Sequence, residues 1–366
     1  KRKNKLNKIS GKIINFNEEF YGEVFFDKLI QNINKTESKT LDQYIIPGFV
    51  DLHCHGAMNH DTMQGLESIK KMADFHLSKG TTTLLPTTLT NSLKDTYQAL
   101  EGFNKFLLND NSNVAGVHLE GPFINPNKLG AQPPLTQEPN IAFIKEVQKI
   151  AKIKSVTLAP ELEGIDNLIK YLAENNINIQ FGHSLASYEC CKNFMANYSV
   201  SFTHLYNAMS GNDHRNPGVL SAALELGEYA EIICDFQHVS ETSIKIAKKC
   251  ISKLYTITDS IGATGMPNGL YKYGNFLIDK KNDIATLQNS KTLAGSVMDM
   301  HSTFLNLHKM KFSMQEIVAL TSYNAAQYIN EKNIGQIKSN YKANFLVLDK
   351  NLNLKEIYLN GKKIVN

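Results

Sequence analysis

Tyr44-Ile45-Ile46-Pro47-Gly48-Phe49-Val50-Asp51-Leu52-His53-Cys54-His55-Gly56 is an apolar, β-branched run that ends abruptly in two histidines. Residues 81–86, 114–120, 156–160, 177–183, 200–204, 231–235 and 254–259 repeat the pattern, and amphipathic stretches at 67–79, 141–152, 165–175 and 240–253 separate several of them. Short apolar runs joined at crossover length are the mark of βα units and a parallel sheet. With the run at 44–53 they make eight, the count of a (β/α)8 barrel. The sequence therefore predicts an α/β fold in which a TIM-like barrel spans residues 44–334.

The ends read differently. Residues 12–15 and 20–26 alternate like short strands, and so do 344–349 and 357–362 near the other terminus. Residues 1–43 and 335–366 together predict a small β-sandwich domain built from both termini. No Pro- or Ser-rich linker and no internal repeat divides the chain, so the expectation is a single rigid body of two parts.

Composition narrows the function. The 366 residues are 42% hydrophobic and 20% charged, which suits a soluble globular chain and excludes disordered or fibrous structure. A formal charge of +4, from 39 Lys and Arg against 35 Asp and Glu, is too small for electrostatic nucleic-acid binding. Residues 1–5 are basic, but no apolar segment follows, and no run reaches the roughly 18 apolar residues of a membrane span. Five cysteines, with Cys190 and Cys191 adjacent, make no disulfide framework and point to a reducing, cytoplasmic setting. Arg2 and Arg215 are the only arginines.

The chemistry-bearing residues gather at the ends of the runs. Run one ends in His53 and His55, run three in Glu120, run five in His183, run six in His204 and run eight in Asp259. In a barrel those C-terminal strand ends converge on one face. His-x-His on a strand turns both imidazoles to the same side, since side chains alternate with period two. Taken alone the pair is equally a partly buried polar strand end, and His183 or His204 singly reads as a structural histidine. Their joint occurrence at matching ends favours a site for a divalent metal, one ion or two per chain. Zinc, iron and manganese all accept imidazole and carboxylate ligands.

Asp259 is either a helix N-cap or a general base for a metal-activated water. The loop after run six carries Asn207, Ala208, His214 and Arg215, and run seven leads into His238. An arginine in a chain that otherwise uses lysine suggests a guanidinium fork for phosphate or carboxylate, against the alternative of a chance surface residue. Cys54 lies between the two histidines and faces the opposite side of the strand, so it belongs to the core. No phosphate-binding glycine loop and no Gly-x-Ser-x-Gly elbow is present.

Assembled in order, Pro47-Gly48-Phe49-Val50-Asp51-Leu52-His53-Cys54-His55, His118-Leu119-Glu120-Gly121-Pro122-Phe123, Gly182-His183-Ser184, Thr203-His204-Leu205-Tyr206-Asn207-Ala208-Met209, His214-Arg215-Asn216-Pro217-Gly218, Thr258-Asp259 and Leu293-Ala294-Gly295-Ser296 resemble the N-acetylglucosamine-6-phosphate deacetylases of the amidohydrolase superfamily. The resemblance covers nearly the whole chain. It implies Glu120, His183 and His204 as main metal ligands, with His53 and His55 permitting a second ion. It implies Asp259 as acid and base, and Ala131, Gln132, Asn207, Ala208, Arg215, His238 and Leu293-Ala294-Gly295 as substrate contacts. It further implies a homodimer in which Arg215 reaches the neighbouring site.

One position departs from the family. Gln132 stands where well-known members carry a histidine that polarises the acetamide carbonyl, so either Gln132 donates that hydrogen bond or a second metal replaces it. The implied activity is hydrolysis of an N-acetylhexosamine 6-phosphate to acetate and amino-sugar phosphate. Two alternatives remain at this point. One is another amide hydrolase of the superfamily, many of which bridge two metals with a carboxylated lysine, although no lysine ends a predicted strand here. The other is a sugar-phosphate sensor on the same scaffold.

Overall fold

Eight parallel strands curl into a barrel in the computed structural model, which describes residues 6–37, 42–108 and 112–364. Residues 1–5 and the remainder of the N-terminal expectation at 38–41 lie outside the described residues. The strands are Phe49–Cys54, Thr81–Thr88, Val117–Glu120, Ile153–Leu158, Asn178–Phe181, Val200–Phe202, Tyr229–Ile233 and Lys253–Ile257. The first six hydrogen-bond in sequence order, and the last two pair with each other. Thr81–Thr88 and Phe49–Cys54 are buried at every position, as strands covered on both faces must be, which explains their mainly apolar and β-branched composition, with Asp51 and His53 as the polar exceptions.

Two seams separate the six strands from the pair, and both are closed near the strand ends. Leu205 N–H donates to the Glu231 carbonyl at 2.9 Å, and Asp259 N–H donates to the His53 carbonyl at 2.9 Å. His55 N–H adds a bond to the Ser260 carbonyl at 2.8 Å. Three of the residues that close the seams are thus residues the sequence marked for chemistry.

Helices pack outside the strands. Leu66–Ser78, Ile141–Ile150, Ile165–Glu174 and Glu241–Cys250 match the amphipathic stretches, each burying a stripe such as Phe143, Ile144 and Val147. Side-chain caps set the starts of two of them: Asn140 Oδ1 accepts from Ala142 N–H at 2.9 Å, and Ser240 Oγ from Ser243 N–H at 3.3 Å, whereas the other two begin after Gly65 and Gly164. No helix among the described residues is long and apolar enough to cross a membrane.

The termini make one seven-stranded sheet. Asn7–Ile14, Glu19–Phe26, Ile30–Lys35 and Gln43–Pro47 come from the first end, and Phe345–Asp349, Leu354–Leu359 and Lys362–Ile364 from the second. Two strands intervene between Glu19–Phe26 and Phe345–Asp349 in the sheet, yet the Phe26 and Phe345 rings lie 5.0 Å apart. The sheet therefore curls over itself and encloses Ile13, Val24, Ile45 and Val347 as a sandwich does.

Two features differ from the sequence expectation. The run at 44–53 is two strands: Gln43–Pro47 pairs with Phe345–Asp349 in the small sheet, and only Phe49–Cys54 enters the barrel. Gly48 is the joint, because a Cβ there would lie 2.0 Å from Thr82 Oγ1. A continuous apolar pattern hides such a crossing from one sheet to another. Beyond the eighth strand, Gly269–Tyr273, Phe276–Lys281 and Ile284–Leu287 form a three-stranded antiparallel insertion that the sequence reading did not anticipate. Its outward Leu270 and Leu277 blur the alternation by which a strand is recognised.

Candidate metal centre and substrate cavity

The strand ends place four imidazoles and two carboxylates together. His183 Nε2 and His204 Nε2 each lie 3.1 Å from Glu120 Oε1 and 3.0 Å from one another. His53 Nε2 and His55 Nε2 are 3.2 Å apart, and each is 3.4 Å from Asp259 Oδ1. Glu120 links the two groups, with Oε2 3.1 Å from His55 Nε2 and Oε1 3.5 Å from His53 Nε2. Two nitrogens bound to one ion at about 2.1 Å stand roughly 3 Å apart, so both trios have the spacing of a metal cradle.

The far side of each ring supports the same reading. His183 Nδ1 faces the Lys128 carbonyl at 2.8 Å, His55 Nδ1 the Thr87 carbonyl at 3.2 Å and His53 Nδ1 the Glu231 carboxylate at 2.9 Å. Each Nδ1–H donates outward, which leaves Nε2 with its lone pair aimed at the centre. His204 Nδ1 is buried without a partner. The donor set fits a divalent ion of the zinc, iron or manganese kind.

The electrostatics of the donors suit a cation. Burial opposes ionisation of Glu120 and Asp259, yet the surrounding imidazoles hold Glu120 well below the usual carboxylate range and Asp259 at about 2. Burial likewise opposes a proton on His53 and His55, yet Glu120, Glu231 and Asp259 carry His53 well above its usual value, and Asp259 with Glu120 takes His55 to about 9. Paired carboxylates in a buried site demand cations, and a metal ion can stand in for those protons.

His183, His204 and Asp259 have φ of 50°, 28° and 48°. Non-glycine residues rarely adopt this left-handed backbone, and it turns the three side chains out of the strand direction into the centre. The centre floors a cavity of about 330 Å³. His55, Glu120, His183, His204 and Asp259 line its floor, with Ala131 and Gln132 beside them. Asn207, Ala208, His238, Leu293 and Gly295 line its outer part.

Three sequence-marked residues do not line it. His53 lies fully buried behind the floor, Ala294 is packed into the core of the insertion, and Arg215 is exposed on the 211–217 loop. Other residues escaped the sequence reading. Glu231 accepts from Gln180 Nε2 at 2.7 Å as well as facing His53. It joins strands that are not neighbours, so the bonds run through the barrel interior. A carboxylate between Ala230 and Ile232 in a buried strand was the available signal. Tyr273 and Lys291 line the cavity from the insertion side.

The amidohydrolase family model matches residues 44–365. An N-acetylglucosamine-6-phosphate deacetylase of Lysinibacillus sphaericus is 34% identical over 330 residues, 87% of this chain and 85% of that protein. The protein of that name from Bacillus subtilis strain 168 is 35% identical over 301 residues, 79% and 76% of the two chains. The crystal structure of N-acetylglucosamine-6-phosphate deacetylase from Thermotoga maritima superposes with a TM-score of 0.91 at 29% identity, covering 98% of this chain and 99% of that one.

Proposed function

The chain belongs to the amidohydrolase family, and from that premise we propose that it hydrolyses N-acetylglucosamine 6-phosphate to glucosamine 6-phosphate and acetate in amino-sugar breakdown. The observation that carries the reading is the convergence of two donor trios on one cavity with Asp259 at its floor.

Glu120, His183 and His204 would hold one divalent ion, and His53 with His55 a second. Such an ion supplies Lewis acidity toward the amide carbonyl and toward water. Asp259 does the proton work. Its carboxylate takes a proton from the water that attacks the acyl carbon, and the carbonyl π pair moves to oxygen. The C–N bond then breaks as the same proton passes from Asp259 to the departing amine nitrogen, so one residue serves as base and acid. Ala131 and Gln132 adjoin the acyl end, while Asn207, Ala208, His238 and the 293–295 backbone adjoin the sugar and phosphate. Arg215 is exposed and outside its own cavity, which suits a homodimer in which it reaches the cavity of a second copy.

Among the described residues Lys291 is the one lysine that lines the cavity, and it is exposed at the rim. Glu120 stands between the trios where a carboxylated lysine would be needed, so the bridging-lysine hydrolases are disfavoured. The cysteines are all free, in keeping with a reducing, cytoplasmic location. The test is acetate release from N-acetylglucosamine 6-phosphate with metal content measured on the same sample. Turnover supports the deacetylase; full metal occupancy without turnover would favour the sensor or another amide substrate.

A further inference from the structure

Gln132 is committed on both sides of its amide. Its Oε1 accepts Thr90 N–H at 2.7 Å, and its Nε2 donates to Glu120 Oε2. The Thr90 bond fixes which way the amide points, so Gln132 is arranged to position the Glu120 carboxylate. One Nε2 hydrogen is thereby taken, and beside the Lewis acidity a bound ion would supply, the insertion brings a further donor to the cavity.

Tyr273 ends the first strand of the insertion. Its ring is held in a small core with Leu89, Ile261, Ile278 and Ala285. The turn that follows rests on the loop bearing Gln132: a Cβ on Gly274 would come within 3.3 Å of Leu89 and 3.4 Å of Pro133. Tyr273 is only 3% exposed and lines the cavity, its ring perpendicular to that of His55 with centroids 6.0 Å apart. Among the described residues its hydroxyl has no hydrogen-bond partner. It is not among the buried orphaned polar atoms, so on the cavity wall it stands open to a ligand or water that would complete its bonding.

We propose that Tyr273 is a catalytic residue of the deacetylation, its phenol O–H donating to the acyl oxygen of the substrate as that oxygen gains charge. The assignment rests on the deacetylase reading. A donor placed for the tetrahedral state lowers the barrier without tightening the ground state. The neutral phenol makes no covalent bond and keeps its proton throughout.

Tyr273→Phe removes the oxygen and keeps the ring. The expected result is a fall in kcat of roughly 10²-fold with the KM for N-acetylglucosamine 6-phosphate and the metal content unchanged. Affinity for a methylphosphonamidate analogue of the tetrahedral state should fall by a similar factor, which a merely structural ring would not produce. A kcat within threefold of native, or a loss of kcat that follows a loss of metal, overturns the assignment. The native enzyme is assayed first: no acetate release there defeats the deacetylase reading and Tyr273 with it, whereas normal native turnover with an unimpaired variant defeats Tyr273 alone.

Discussion

The floor of the cavity and its outer wall are built by different rules. On the floor, His55, Glu120, His183, His204 and Asp259, with His53 directly behind them, all stand at barrel strand ends with no more than 8% exposure. Most of them are gripped from behind by a carbonyl, a carboxylate or an amide. On the outer wall, Asn207, Ala208, His238 and Leu293 sit in loops, and Arg215 projects from an exposed one. On the proposed function, chemistry that tolerates little displacement falls on the rigid sheet, and recognition on loops. Substitutions on the floor should therefore change turnover, and those on the wall should change affinity.

Asp259→Asn is the hardest test of that division. The variant keeps the shape and the left-handed backbone but cannot accept a proton, so kcat should fall by roughly 10³-fold while bound metal stays at the native level. Near-normal turnover by acetate assay would remove Asp259 from the proton work and erase the distinction between the two regions.

Glu231 tests the layer behind the floor. It touches no substrate but faces His53 Nδ1 at 2.9 Å and accepts the His204 backbone N–H at 3.2 Å. Glu231→Gln should cost about 10–100-fold in metal affinity, the size seen when a partner behind a ligand is removed. Competition with a chelator reads this directly. If affinity is unchanged and only the melting temperature drops, Glu231 belongs to the barrel core and the floor is one layer deep.

The two regions also differed in how far the sequence revealed them. His53 and His55 were legible because a strand of period two turns both to one side, and matching strand ends assembled the rest. Glu231 and Gln180 were not, because each lies inside an apolar run and nothing in one strand's pattern says which other strand it will face. Gly48 hid the passage between sheets for a similar reason: the close approach to Thr82 that requires glycine exists only in three dimensions. Tyr273 was masked by an insertion whose outward face carries Leu270 and Leu277. Local periodicity reports a residue's side of its own strand, whereas contacts across the barrel depend on its closure.

Arg215 sharpens the comparison from the opposite side. If its fork reaches the phosphate in a second copy, Arg215→Lys should raise KM for N-acetylglucosamine 6-phosphate about tenfold, because a point charge replaces a bidentate donor, and leave kcat alone. Mixing Arg215→Lys with Asp259→Asn should then regenerate native-affinity sites in hybrid dimers. A chain that is monomeric at assay concentration and indifferent to the substitution would leave Arg215 as a surface residue.

His238 should show the smallest effect and a pH signature. Its Nδ1 is 2.6 Å from Asp235 Oδ2, which leaves Nε2 for the cavity. Burial favours the neutral ring, but the Asp235 carboxylate outweighs it and lifts the imidazole above its usual value. A raised group is cationic throughout the range below its ordinary pKa and loses that charge only as pH climbs through the raised value. Any help His238⁺ gives to phosphate binding is therefore complete at the acid side and fades as pH rises. Above about pH 7, where the sugar phosphate is already dianionic, the ratio of kcat/KM for the phosphorylated sugar to that for the unphosphorylated one isolates this effect, since water activation and Asp259 are common to both and cancel. That ratio should decline at alkaline pH by roughly threefold, and His238→Gln should lower it near pH 7 and remove the alkaline slope. A slope that survives the substitution would assign the pH dependence to another group and leave His238 as part of the wall.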